Sequence, residues 1–405
     1  MKTRTKKVLG WLAVPPILLA VFIIGLFVYV NATIRPLHPD PAKVSSVTQS
    51  SPSAAVADAV KRGRLAVRAS LTEMNLPGLS VAVGSGGEIV WAEGFGWADI
   101  EKRLPVAPGT RFRTGGASIA LTSAAVGMLL DNDKLNLDVD IQKYVPGFPE
   151  KQWPVTLRLL MGHTAGMRGD GGDEEPLFYQ RCERTLDALP RFADQPLRFE
   201  PGTKRQYSAL GWILVSAAVE VAANEPFFTH MRTKIFKPLG MIDTTTDSPT
   251  DPIPDRATAY HPRFGGDPRY GPELAPEGNY SCFAGAGAFL STPSDLVRFS
   301  LAMNGFKLVQ PATVKMLHAS QRLTSGDETG YGLGWDLEPA SLAGQSTMSV
   351  GHDGEFFIGG STSLVTFPER GLVVAVMTNT SFADLSALVA TIAEAFAQQG
   401  SPARD

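Results

Sequence analysis

Residues 112–130 read FRTGGASIALTSAAVGMLL, and the second part of that stretch decides how the rest of the chain must fold. From Ser118 to Leu130 nearly every position is apolar or small, so a helix built from it has no polar face to turn toward water. Such a helix is expected to be an internal post with protein packed on all sides. The Thr114-Gly115-Gly116 lead-in is polar and flexible. It suits a helix start, where unpaired backbone N–H groups and the positive dipole end point outward. Positions three apart share a helix face, so 116 and 119 present whatever they carry to one space. Here they carry Gly and Ile.

The material around the post reads as one large globular unit behind a basic and apolar N-terminus. A chain of 405 residues with 44% hydrophobic content has ample core for one globular domain, expected over residues 56–398. Lys plus Arg number 37 against 40 for Asp plus Glu, a net charge of -3 that gives no reason to expect nucleic acid as a partner. Lys2, Arg4, Lys6 and Lys7 precede an uncharged apolar run, residues 8–30, that as a helix would reach about 34 Å and cross a bilayer. The expectation is an uncleaved membrane anchor over 1–30, with the domain on the periplasmic or extracellular side. A signal peptide cut near Val30-Asn31-Ala32 is the rival reading. Residues 31–55, with Pro36, Pro39, Pro41 and Pro52, read as a tether, and 399–405 as a tail. Cys182 and Cys282 would close a long loop if bonded, though spacing alone leaves two separate thiols equally open.

Both ends of the domain carry strand signals. Val60, Val67, Leu71 and Met74 recur at helical spacing; strand-like runs at 79–83 and 88–92 follow, joined through Ser85-Gly86-Gly87. Runs at 362–367 and 372–377 form a second hairpin signal around Pro368-Glu369-Arg370-Gly371. Ser381-x-x-Asp384 then resembles a helix start ahead of Leu385, Leu388, Val389, Ile392 and Phe396. The stretch between is mostly helical runs and long Pro/Gly-rich loops. The expected fold is α/β of the α+β type: an antiparallel sheet from 76–110 and 330–380, flanked by helices, with a helical lobe over 115–325 inserted between its halves.

Six ordered blocks resemble the β-lactamase-related serine hydrolase family, which includes class C β-lactamases, D-alanyl-D-alanine carboxypeptidases, esterases and mitochondrial serine β-lactamase-like proteins. They are residues 112–137 with YVPGFP at 144–149, VTLRLLMGHTAGM at 155–167, FEPGTKRQYSALGW at 199–212, PLGM at 238–241, GAGAFLSTPSDLVRF at 285–299 and VGHDGEFFIGGSTSLVTFP at 350–368. The resemblance implies a penicillin-binding-protein-like fold with a cleft between sheet and lobe. It also implies site residues. The family's Ser-x-x-Lys, in which the amine activates the hydroxyl, falls on Gly116 and Ile119, so nucleophile and lysine are both missing. No lysine after residue 40 lies three positions after a Ser, Thr or Cys, so no displaced copy exists.

The Tyr-x-Asn element falls on Tyr207-Ser208-Ala209, keeping the tyrosine as a candidate general acid or base. The Lys/His-Thr-Gly element falls on His352-Asp353-Gly354. The implied oxyanion hole maps onto the backbone N–H groups of Gly116 and Glu355. Gly116, Asp353, Gly354 and Glu355 are therefore the candidate ligand-binding residues, and His163 in the HTAGM block is expected to be scaffold. The acidic stretch Asp170, Asp173, Glu174 and Glu175 lacks EF-hand spacing, and no metal or other cofactor is expected. The functional expectation is a pseudoenzyme holding a carboxylate or peptide ligand, of cell-wall type among the candidates. The alternative is an active hydrolase with a relocated nucleophile such as Ser118 in Gly116-Ala117-Ser118.

Overall fold

The computed structural model describes residues 2–169, 175–247, 253–355 and 359–398, with side chains described from residue 17 onward except at 175, 176 and 265. The acidic residues Asp170, Asp173 and Glu174, and the side chain of Glu175, lie outside it. An eight-stranded antiparallel sheet joins the two ends of the domain. Its long members are β1 (Ser46–Thr48), β2 (Gly78–Ser85), β3 (Glu88–Asp99), β4 (Asp336–Leu342), β5 (Gln345–Glu355), β6 (Ser361–Phe367) and β7 (Leu372–Thr378), in the order β1-β3-β2-β7-β6-β5-β4. The N-terminal and C-terminal hairpins meet where β2 pairs with β7, Ala82 opposite Ala375. Every residue of β7 is buried, which is why it reads as the unbroken apolar run LVVAVM rather than as alternation.

The long helices are α1 (Lys2–Thr33), α2 (Ala57–Glu73), α3 (Ser118–Leu130), α4 (Ala209–Ala223), α5 (Pro293–Asn304) and α6 (Ser386–Ala397); helices cover both faces of the sheet, but α1, whose described side chains are mostly exposed, is not one of them. One face packs Val81, Val83, Val374 and Val376 against Val60, Val67 and Leu71 of α2 and Leu388, Ile392 and Phe396 of α6. The opposite face carries α5 and the lobe built on α3 and α4. The helix α3 is buried almost throughout, as its lack of a polar face requires. Its hydroxyls are all bonded inside the protein: Thr122 to the Ser118 and Gly285 carbonyls, Ser123 to the Leu333 carbonyl, and Ser118 to Thr114.

Several expectations need correcting. The tether is not free: Val44 and His38 are buried, β1 pairs with β3, and the Leu37 N–H donates to Asn75 Oδ1 at 2.8 Å. Apolar and hydrogen-bonding residues scattered among the prolines dock this segment without any periodic pattern. The helix α6 begins at Ser386, not Ser381; Asp384 Oδ1 accepts the Ser386 N–H at 3.0 Å, while the Ser381 hydroxyl accepts from Gly359 N–H. The expectation of a membrane anchor is overturned: among the described residues no helix is long and apolar enough to cross a membrane. Near its end α1 carries Asn31 and Thr33, whose side chains bond back to the helix carbonyls. The cysteine question is also settled: Cys182 and Cys282 are bonded, with Cα atoms 4.9 Å apart.

A buried imidazole makes stability depend on acid. His318 stands edge-on to Trp335, ring centroids 4.7 Å apart, and burial pulls its pKa down to about 4. Its unfolded value is the ordinary 6.5, so between these values the unfolded chain binds the extra proton. The stabilisation is complete above pH 6.5 and is lost as pH falls toward 4, in all about 3 kcal/mol. His318→Phe is expected to flatten the denaturation midpoint over that window, and a profile as steep as the native one would contradict this assignment.

Candidate active site

The lead-in to α3 is held from two sides. A three-stranded sheet of Phe112–Arg113, Phe289–Ser291 and Thr245–Thr246 fixes it on one flank, where Thr114 N–H and Oγ1 both donate to the Phe289 carbonyl. The end of β5 fixes the other. A Cβ on Gly354 would stand 1.9 Å from the Thr114 carbonyl oxygen and 2.8 Å from Ala117 N, so only glycine lets strand and lead-in touch. Glu355 N in turn lies 2.9 Å from where a Cβ on Gly115 would be. Gly354→Ala is therefore expected to push the strand off the lead-in at about 1–3 kcal/mol, read as a lower urea midpoint. An unshifted midpoint would mean the contact is not tight.

Position 116 is the centre of this arrangement. A Cβ there would lie 3.3 Å from the Tyr207 hydroxyl, 3.2 Å from His352 Cε1 and 3.0 Å from the Asp353 carbonyl oxygen. Tyr207 comes just before α4, whose start is capped by Ser208 Oγ accepting the Gly211 N–H; it is 43% exposed, so its phenol borders solvent as well as Gly116. It precedes the helix and its cap. One helical turn on, Ile119 is wholly buried in the apolar core.

His352 is locked rather than poised. Its Nδ1 lies 2.6 Å from the Asp353 carbonyl, which can only accept, so Nδ1 carries the proton. Its Nε2 then accepts from the Tyr331 hydroxyl at 3.0 Å. Burial holds the imidazole below its ordinary pKa, the nearby Asp336 and Asp353 opposing this, and the same burial holds the Tyr331 phenol far above its own. Both groups are neutral near pH 7, and His352 turns only a carbon edge toward 116. Tyr331→Phe would leave a buried acceptor without its donor, an expected loss of about 1–3 kcal/mol in chemical denaturation. An unchanged midpoint would show the bond carries no stability.

His163 stacks against Tyr207 and Tyr331 at 4.7 and 5.0 Å between ring centroids, and its Nδ1 accepts the Ser208 N–H at 3.2 Å. It positions the tyrosine, as a scaffold residue should, and burial keeps it neutral. The side chain of Asp353 falls on the far side of β5, where Ser363 donates to Oδ1 at 2.6 Å and a separate depression of about 320 Å³ opens. Only its carbonyl reaches the cleft, because successive strand residues alternate faces. Ser118 is fully buried; Thr114 Oγ1 already donates to Phe289, so Ser118 Oγ donates to Thr114, 2.6 Å away. Among the described residues no cluster of His, Cys, Asp or Glu could hold a metal ion.

The sequence profile of the family described as Beta-lactamase matches residues 46–399. The chain belongs to the beta-lactamase family. Among its relatives, the serine beta-lactamase-like protein LACTB, mitochondrial, of Homo sapiens is 26% identical over 80% of this chain and 77% of the relative. Penicillin-binding protein 4* of Bacillus subtilis (strain 168) is 24% identical over 74% of this chain and 67% of the relative. Among solved structures, D-amino acid amidase from Ochrobactrum anthropi SV3 superposes with TM-score 0.70 at 22% identity, over 85% of this chain and 100% of that one. EstCE1, a hydrolase with promiscuous acyltransferase activity, superposes with TM-score 0.70 at 21% identity, over 85% and 99%. These structural likenesses establish the fold of a beta-lactamase family member, the sheet and inserted lobe expected from the sequence.

Two wall residues of this beta-lactamase family cleft were not among the site residues its sequence blocks assign. Tyr331 comes from the segment before β4, outside all six blocks. Arg205, two positions before Tyr207, lies over the Tyr331 ring with its guanidinium carbon 4.3 Å from the centroid, and bonds Asp336 Oδ1 at 3.2 Å. The only signal for Arg205 was its closeness in sequence to Tyr207.

Proposed function

We propose that this beta-lactamase family member is a pseudoenzyme that holds a ligand with a free carboxylate, a peptide C-terminus in chemical type, in the cleft between Gly116, Tyr207 and Gly354. The observation that carries the reading is position 116 itself: the Tyr207 hydroxyl converges on a residue with no side chain to activate. Removing the nucleophile from a catalytic unit of this kind typically lowers turnover by about 10⁶. Backbone N–H groups are untouched by such a loss, so those of Gly116 and Glu355 remain as donors for an anion.

The relocated-nucleophile alternative gains no support from Ser118, whose hydroxyl is buried and engaged with Thr114. The test is a pair of measurements on the full chain. Incubation with a fluorescent penicillin is expected to leave no covalent label on a denaturing gel. Calorimetry with a short acetylated peptide ending in alanine is expected to show saturable binding of the free acid. A stable label would refute the loss of chemistry, and absence of binding would refute the ligand.

A further inference from the structure

We propose that Arg205 is the group that selects the ligand's carboxylate, and that Asp336, its partner in the protein, competes with the ligand for it. The inference rests on the carboxylate-binding reading above and names the residue responsible. The Arg205 guanidinium stacks on the face of Tyr331, the same ring whose hydroxyl bonds His352, and so belongs to the wall that holds Tyr207 and His163. Stacking fixes the plane of the fork and leaves its N–H edge free to point outward.

Five N–H donors radiate from that fork, yet among the described residues its one hydrogen bond is the 3.2 Å contact from Nη2 to Asp336 Oδ1. Both side chains are partly open to solvent, 35% for Arg205 and 41% for Asp336. An exposed pair of this kind is weak, whereas an incoming carboxylate can take the fork with two parallel bonds. His163 and His352, buried and neutral, cannot supply a positive charge in its place. Arg205 is the permanent cation among the wall residues named here, and Asp336 is its exchangeable partner.

Calorimetry on the full chain with the acetylated alanine peptide, as free acid and as C-terminal amide, tests this. The native protein is expected to prefer the acid by roughly ten- to hundredfold, the usual range for a hydrogen bond to a charged group. Arg205→Gln is expected to bring acid affinity down to that of the amide and leave amide affinity unchanged. Asp336→Asn is expected to tighten the acid alone. Arg205→Lys, which keeps the charge and loses the fork, should fall between, and serves if the glutamine variant does not fold. Arg205 is not the selector if the glutamine variant still prefers the acid, or if it loses acid and amide alike. If the native protein binds neither peptide, the carboxylate reading falls, and this inference with it.

Discussion

The Gly116→Ser, Ile119→Lys double substitution is expected to make the protein take a covalent label from a fluorescent penicillin and to raise hydrolysis of a simple chromogenic ester by at least about 10³-fold. The receiving geometry is in place. A side chain at 116 would start 3.3 Å from the Tyr207 hydroxyl, and Gly116, unlike Gly115, does not have the positive φ that would strain one. The contact with the Asp353 carbonyl at 3.0 Å is tight, so β5 has to give by a few tenths of an ångström. Ile119 is wholly buried, so a lysine amine in its place is pushed toward its neutral form by desolvation, the state able to take a proton from a hydroxyl. That burial also lowers stability, and near-ultraviolet circular dichroism is needed to show that the variant is folded. A folded double variant that neither labels nor hydrolyses ester would mean the cleft has lost more than two side chains.

The Cys182→Ala, Cys282→Ala double substitution is expected to give the largest loss of stability. The bond joins residues 100 apart in sequence, and the chain-entropy relation puts a loop of that size at about 4.7 kcal/mol. It ties the turns beside Thr185 and Phe283, which pack on α4, the helix that Tyr207 leads into; the Cys182 N–H also donates to Ser281 Oγ at 2.8 Å. The loss should therefore appear in the urea midpoint and again as weaker peptide binding. Equal midpoints for the double variant and the native protein, with and without reductant, would show that the lobe is held by its core alone.

The parts of the molecule legible in sequence were those set by periodicity. The all-apolar face of 118–130 required a buried helix, and the strand runs at both ends required a sheet closed across the chain. Position 116, like Tyr207 and His352, was legible only through the resemblance carried by the blocks around it. What escaped was set by contacts between distant segments. Docking of residues 31–55 depends on Asn75 and β3, which no local pattern announces. The locking of His352 depends on Tyr331, a residue outside all six blocks. Strand alternation could have shown that Asp353 turns away from the cleft while His352 and Gly354 face it.

The pairing of β2 with β7 also dictates an order of events during synthesis. When the hairpin of β2 and β3 leaves the ribosome, the strand that must lie beside it has yet to be made, because Ala82 waits for Ala375. Until then the hairpin offers a bare apolar edge, an invitation to pair with other chains. A chain stopped short of Leu372 would keep its lobe and still be prone to aggregate.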